Sequence, residues 1–143
     1  MINSGLNAIK QRLREFADAR DWEQFHSPKN LSMALSVEVS EIVEHFQWLT
    51  EEQSKNLPKD KLAEVETELA DTLIYLIRIA DKLDIDLLKA AQRKIEVNEQ
   101  KYPVDKAKGN AKKYTEYKWM SPYQVTLYKA WKGQWVLKVT STF

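Results

Sequence analysis

The stretch Leu62–Leu83, LAEVETELADTLIYLIRIADKL, decides the fold class of this chain. Its apolar residues recur every three or four positions, which is the spacing of the inner face of an amphipathic helix. These positions are Leu62, Val65, Leu69, Leu73, Leu76 and Ala80. No Gly or Pro interrupts the pattern. We therefore predict one long helix here, with this apolar stripe facing the protein interior.

Three further stretches have the same helical periodicity and predict helices over Leu6–Ala19, Asn30–Trp48 and Leu87–Tyr102. Ser27 followed by a proline is a typical helix start, and Pro103 ends the last helix. Four helices with short connections favour an all-α fold, an antiparallel four-helix bundle.

The C-terminal region has a different composition. Tyr123–Phe143 is rich in Val, Thr, Tyr and Trp, and Lys132-Gly133 separates two short runs that favour strands. We predict a β-hairpin or an extended arm. The predicted organisation is a helical domain at 1–117 and an aromatic C-terminal extension at 118–143.

Composition excludes several classes of protein. The chain has 143 residues, of which 43% are hydrophobic and 30% are charged, with 0 Cys, 2 His and a formal net charge of +1. Without Cys there is no disulfide scaffold, cysteine nucleophile or thiolate metal site, and two His exclude a three-His zinc site. No apolar run approaches the roughly 18 residues of a membrane helix. We expect a cytoplasmic protein with no membrane partner.

Two acidic pairs, Glu38 with Glu41 and Glu68 with Asp71, are the strongest chemical signal. Residues three apart on a helix lie on one face, and both pairs border apolar stripes. Burying four unpaired carboxylates is costly, so a divalent cation is the natural partner. Oxygen ligands suit Mg²⁺, and Mn²⁺ also fits. The alternative is that these acids lie on exposed helix faces and pair with lysines.

The last predicted helix offers groups for an anion. Lys94, Asn98 and Tyr102 follow at four-residue steps, which places an ammonium, an amide and a phenol on one helix face. All three can donate hydrogen bonds to phosphate oxygens. The same pattern also describes an ordinary polar face.

Aromatic side chains offer surfaces for a nucleobase. Trp22, Trp48 and Tyr75 are candidates for stacking, and His26 could read a base edge by hydrogen bonding. Aromatic residues at helical spacing also occur commonly in protein cores.

Four segments together resemble a known family. They are RDWEQFHSPKN at 20–30, EVSEIVEHFQW at 38–48, ELADTLIYL at 68–76 and KYPVDKAKGNAKKYTEY at 101–117. With the two acidic pairs, they resemble the MazG-like all-α nucleoside triphosphate pyrophosphohydrolases, in particular the branch that acts on dCTP.

The resemblance implies hydrolysis of (d)NTPs between the α and β phosphates, which gives a monophosphate and pyrophosphate and clears unwanted nucleotides. It implies Mg²⁺ and a homodimer or homotetramer. The implied metal ligands are Glu38, Glu41, Glu68 and Asp71, with Glu41 favoured as the general base. The implied base and sugar contacts are Trp22, His26, Trp48 and Tyr75. The implied phosphate contacts are Lys94, Asn98 and Tyr102.

A non-catalytic alternative is a module whose tail binds RNA or another protein. The basic segment Lys106–Lys118 is followed by several Tyr and Trp residues. The nearly neutral whole chain disfavours nucleic acid as the partner.

Overall fold

The computed structural model describes the backbone at 2–116, 123–129 and 135–141 and the side chains at 5–116. The α-helices of this part of the chain are α1 (Ile2–Asp18), α2 (Pro28–Phe46), α3 (Glu51–Ser54), α4 (Lys59–Lys82), α5 (Leu87–Lys101) and α6 (Val104–Ala107). A short 3-10 helix follows at Tyr114–Glu116. The predicted all-α class is confirmed, and none of the described helices is long and apolar enough to cross a membrane.

The chain forms two compact units, Met1–Ile95 and Glu96–Phe143. The predicted boundary after Tyr117 lies inside the second of these. Within the first unit, α4 packs along α2 and also contacts α1. This pairing of α2 with α4 positions the candidate site, because each helix carries one acidic pair.

Local signals explain where the helices begin. The Ser27 hydroxyl accepts a hydrogen bond from the Asn30 backbone N–H at 3.2 Å, and Pro28 occupies the first turn of α2. That helix therefore begins two residues before the predicted start. Thr50 and Gln53 form a reciprocal capping box at the start of α3, so both backbone donors are satisfied.

The buried apolar residues of the described part of the chain are Ala17, Leu31, Val65, Ile77 and Ala80. The predicted inner stripe of α4 was therefore largely wrong for a single chain. Only two of its six positions are buried, and the other four, including Leu69 at 54% exposure, are exposed. In the first unit, the main packing partners of α4 are α2 and α1, and this packing leaves most of the stripe exposed.

The predicted hairpin is confirmed in the backbone. Strands β1 (Tyr123–Lys129) and β2 (Trp135–Ser141) pair antiparallel, with Leu127 opposite Leu137. The predicted turn at Lys132-Gly133 lies outside the described residues. The two strands lie in the second unit.

The burial of Leu31 predicts how much this side chain contributes to stability. Leu31 is 2% exposed, so Leu31→Ala should lower the free energy of unfolding by about 2–5 kcal/mol through lost burial and a residual cavity. Lys29→Ala, at an exposed position of the same helix, is the control and should cost under about 1 kcal/mol. Urea denaturation measures both, and equal losses would contradict this core.

Candidate active site

Three glutamates from two helices converge in the first unit. Glu38 and Glu41 lie on α2 and Glu68 lies on α4, and one carboxylate oxygen of each falls within 4.8 Å of the others. Both helices contribute because an i,i+3 pair places its carboxylates on one face, and α2 packs along α4. The structure thus brings together three of the four predicted metal ligands.

The electrostatics of this cluster are unfavourable without a cation. Burial, followed by the charges of Glu41 and Asp71, raises the pKa of Glu38. A hydrogen bond with Glu41, followed by burial and by the charges of Glu41, Glu38 and Asp71, raises the pKa of Glu68. Both carboxylates therefore hold a proton more tightly than usual, which is the behaviour of like charges that share a site.

Asp71, the fourth predicted ligand, lies at the edge of this cluster. It is not one of the three residues within 4.8 Å, but its charge raises the pKa of both Glu38 and Glu68. Asp71 also lines a neighbouring cavity. It therefore connects the carboxylate cluster to the surface where the predicted base contacts lie.

That cavity has a volume of about 340 Å³. Three of the four predicted base contacts line it, namely Trp22, His26 and Tyr75. Such a size and a mixed aromatic and polar lining suit a small flat ring with hydrogen-bonding edges. The structure therefore brings these residues together beside Asp71.

A short loop between α1 and α2 carries two of these side chains. Trp22 packs edge-to-face against Phe16, with ring centroids 5.7 Å apart, and against His26 at 6.2 Å. Asp21 adopts a positive φ of 55°, a conformation that Asp tolerates better than most residues. Gln24 stabilises this turn, because its side-chain amide donates to the Asp21 backbone carbonyl at 2.9 Å.

An ion network that the sequence analysis missed anchors the same loop. The Glu23 carboxylate pairs with both Arg78 and Lys82 of α4. Arg78 also lines the cavity. The sequence feature that could have revealed this network is the position of Arg78, a single charged residue inside the apolar run Leu73–Ala80.

Within the first unit, the residues that line this cavity do not include Trp48 or Lys94. Trp48 is 86% exposed and is not among the residues that line it. Lys94 is exposed in the first unit, whereas Asn98 and Tyr102 belong to the second. Tyr102 packs edge-to-face against Tyr114, with ring centroids 6.0 Å apart. Contact of these four residues with substrate stays a prediction.

The raised pKa of Glu68 gives a testable consequence. A carboxyl whose pKa is higher in the folded state loses stability as pH rises through its unfolded and folded values, so at neutral pH its ionisation opposes folding. Glu68→Gln should therefore raise the melting temperature of the protein in chelator at pH 7. Mg²⁺ should raise the melting temperature of the wild type but not of this variant.

Differential scanning fluorimetry with EDTA or Mg²⁺ measures these shifts. Glu66→Gln, at an exposed position of the same helix outside the cluster, is the matched control and should behave as the wild type. Equal melting temperatures for all three proteins in EDTA would mean that the carboxylates do not repel one another.

Sequence and structure comparisons identify relatives of this chain. The model of the MazG-like family matches residues 33–117. The dCTP pyrophosphatase 1 of Mus musculus is 44% identical over 113 residues, covering 78% of this chain and 66% of that protein. The Homo sapiens protein of the same name is 41% identical over 114 residues, covering 78% and 66%. This chain thus spans slightly less than two thirds of these relatives.

A solved pyrophosphatase from Archaeoglobus fulgidus matches with a TM-score of 0.66 and 41% sequence identity, covering 69% of this chain and 93% of that one. The matched family region contains both acidic pairs and Tyr75. The chain belongs to the MazG-like family.

Proposed function

We propose that this protein is a Mg²⁺-dependent nucleoside triphosphate pyrophosphohydrolase. It hydrolyses dCTP and other dNTPs to the monophosphate and pyrophosphate, and so removes unwanted nucleotides from the pool. The observation that carries this proposal is the cluster of Glu38, Glu41 and Glu68, together with Asp71, which acts on this cluster and also lines the aromatic cavity. Its relatives of 41–44% identity are named dCTP pyrophosphatases, which supports the same substrate class.

The donor set fits a hard divalent cation. All the clustered ligand atoms are carboxylate oxygens, and the charges of neighbouring carboxylates contribute to the raised pKa values of Glu38 and Glu68. Mg²⁺ prefers such oxygen ligands and is often completed by substrate phosphates, and Mn²⁺ accepts the same set. When bound, the metal supplies charge neutralisation at the phosphate oxygens and acidifies a coordinated water.

Glu41 is proposed to act as the general base. Its carboxylate would accept a proton from a water whose oxygen forms the new bond to the α-phosphorus. The bond from that phosphorus to the oxygen of the β-phosphate breaks, and pyrophosphate leaves with the electron pair. No covalent enzyme intermediate is required.

The aromatic cavity would hold the base. Trp22 and Tyr75 offer ring faces for stacking, and His26 offers a ring nitrogen to a base edge. Asp71 lines this cavity and also acts on the acidic cluster, so a nucleotide whose base occupies the cavity has the cluster close by. Lys94, Asn98 and Tyr102 are proposed to bind the phosphates, and Trp48 to contact the base or sugar.

A homodimer or homotetramer is also proposed, because α2 and α4 expose an unusual amount of apolar surface. On α4, Leu62, Leu69, Leu73 and Leu76 are 41–55% exposed in the single chain, and α2 exposes Met33, Val37 and Val43. Several large apolar side chains exposed on two packed helices are typical of a protein interface. Burying it against a second copy would also explain why the sequence periodicity predicts an inner face.

The reaction assignment predicts which products form. With Mg²⁺, the protein should convert dCTP to dCMP and one pyrophosphate. Glu38→Gln and Asp71→Asn should each lower kcat/KM at least about 100-fold, because each removes a negative oxygen ligand. Glu66→Gln is the control and should retain wild-type activity.

Phosphorus NMR of the products, with a panel of dNTPs, provides the measurement. Release of orthophosphate with dCDP would show that the other phosphoanhydride bond is cleaved. Retained turnover in Glu38→Gln would contradict the assigned ligands.

The apolar face predicts an oligomer. Light scattering after size exclusion should give a mass of two or four chains for the wild type. Leu69→Glu should shift the mass toward that of one chain, because a charge in the interface must be desolvated. Val104→Glu changes an exposed apolar residue of the second unit and is the control. A wild-type mass of one chain would refute this assembly.

A further inference from the structure

Arg78 of α4 is an unusual cation in this structure. Arg78 is 3% exposed and is the only buried polar residue among the side chains that the structure describes. A buried charge is tolerated only where its partners compensate the lost hydration. Arg78 also lines the cavity with Trp22, His26 and Tyr75. Its surroundings therefore bear directly on the proposed base site.

The contacts of the guanidinium join α4 to the loop between α1 and α2. Its Nη1 donates to Asp81 Oδ2 at 3.2 Å, within the same helix. Its Nη2 pairs with the Glu23 carboxylate and lies 3.4 Å from His26 Nδ1. One nitrogen of Arg78 thus contacts two residues of the loop, and one of them is a proposed base contact.

This contact is a hydrogen bond in only one neutral tautomer of the His26 ring. A guanidinium can only donate hydrogen bonds, so His26 Nδ1 must accept, and the neutral ring then carries its proton on Nε2. Burial, followed by the charge of Arg78, lowers the pKa of His26, which agrees with a neutral ring. Nε2 of His26, the ring nitrogen that Arg78 does not contact, is therefore a hydrogen-bond donor toward a ligand.

We propose that Arg78 is a positioning residue that holds His26 in the Nε2–H tautomer and so makes the cavity select a base with a hydrogen-bond acceptor on the facing edge. A pyrimidine carbonyl oxygen or an unprotonated ring nitrogen is such an acceptor. The ion pair with Glu23 keeps the loop, and with it the imidazole ring, against α4. This inference rests on the proposed binding of the base in this cavity.

Two neighbouring ion pairs provide matched controls. Lys82 also pairs with Glu23, and Arg14 pairs with Asp81, its Nε donating at 2.8 Å. Lys82→Met and Arg14→Gln each remove one cation from the same network and leave the contact between Arg78 and His26 in place. If loss of stability alone mattered, removal of any of these cations would change the His26 tautomer and KM. The proposed role predicts such changes only when Arg78 is replaced.

Nitrogen NMR of the histidine rings tests the tautomer directly. The chain has 2 His, so His45→Gln identifies the His26 signals. In the wild type, Nε2 of His26 should be protonated and Nδ1 unprotonated. Arg78→Met should move the ring toward a mixture of tautomers, and the two control variants should keep the wild-type pattern. A protonated Nδ1 in the wild type, or no change in Arg78→Met, would overturn the proposal.

Kinetics with dCTP tests the consequence for binding. Arg78→Met should raise KM about tenfold, equivalent to about 1.4 kcal/mol of binding free energy, with kcat changed less than about threefold. Arg78→Lys keeps a buried donor and should recover part of the loss. Lys82→Met and Arg14→Gln should have wild-type KM. An equal rise in KM in Lys82→Met would show that only loop stability is involved.

His26→Ala separates this inference from the proposed function. A raised KM in this variant, with dCMP and pyrophosphate still formed, supports both. A wild-type KM in this variant would overturn the contact with the base, even if the tautomer depends on Arg78, and would leave the pyrophosphatase activity standing. Should Arg78→Met fail to fold, the His26 tautomer of the wild type and the KM of Arg78→Lys still test the role of Arg78.

Discussion

The packing of α2 along α4 holds several carboxylates close together, and their mutual repulsion determines what the candidate site can bind. Glu38, Glu41 and Glu68 meet within 4.8 Å because the two helices pack along one another. Burial raises the pKa of Glu38 and a hydrogen bond with Glu41 raises that of Glu68, and the repulsion between neighbouring carboxylates adds to both shifts. In the proposed complex, cation binding would convert this repulsion into affinity.

The aromatic cavity has a different electrostatic setting. Arg78, which lines it, belongs to a network of paired charges in which Glu23 and Asp81 contact Arg14, Arg78 and Lys82. Such a compensated network orders the loop that carries the aromatic side chains. The two regions meet at Asp71, which acts on the acidic cluster and lines the cavity. In the proposed complex, the base would lie in the cavity beside this ordered loop, and the phosphates would lie near the acidic cluster of Glu38, Glu41 and Glu68.

Much of this arrangement could be predicted from the sequence because it follows from local rules. The spacing within Glu38/Glu41 and Glu68/Asp71 fixes their faces, and the Ser27 cap fixes the start of α2. Burial could not be predicted in this way. The apolar stripe of α4 has the periodicity of an inner face, yet most of it is exposed in the single chain, because periodicity indicates an apolar helix face and not what packs against it. The sequence signals Arg78 as a lone charge in an apolar run, but it could not identify the partner Glu23, which lies 55 residues away in the sequence.

The central claim is that these carboxylates hold the metal that binds the nucleotide phosphates. Anomalous diffraction from crystals grown with Mn²⁺ and an α,β-non-hydrolysable dCTP analogue tests it most directly. The account predicts a metal peak coordinated by oxygens of Glu38, Glu41, Glu68 and Asp71 and by the phosphates, with the base in the cavity of Trp22 and Tyr75. A nucleotide-bound metal elsewhere on the chain, with the four carboxylates directed into solvent, would contradict the account.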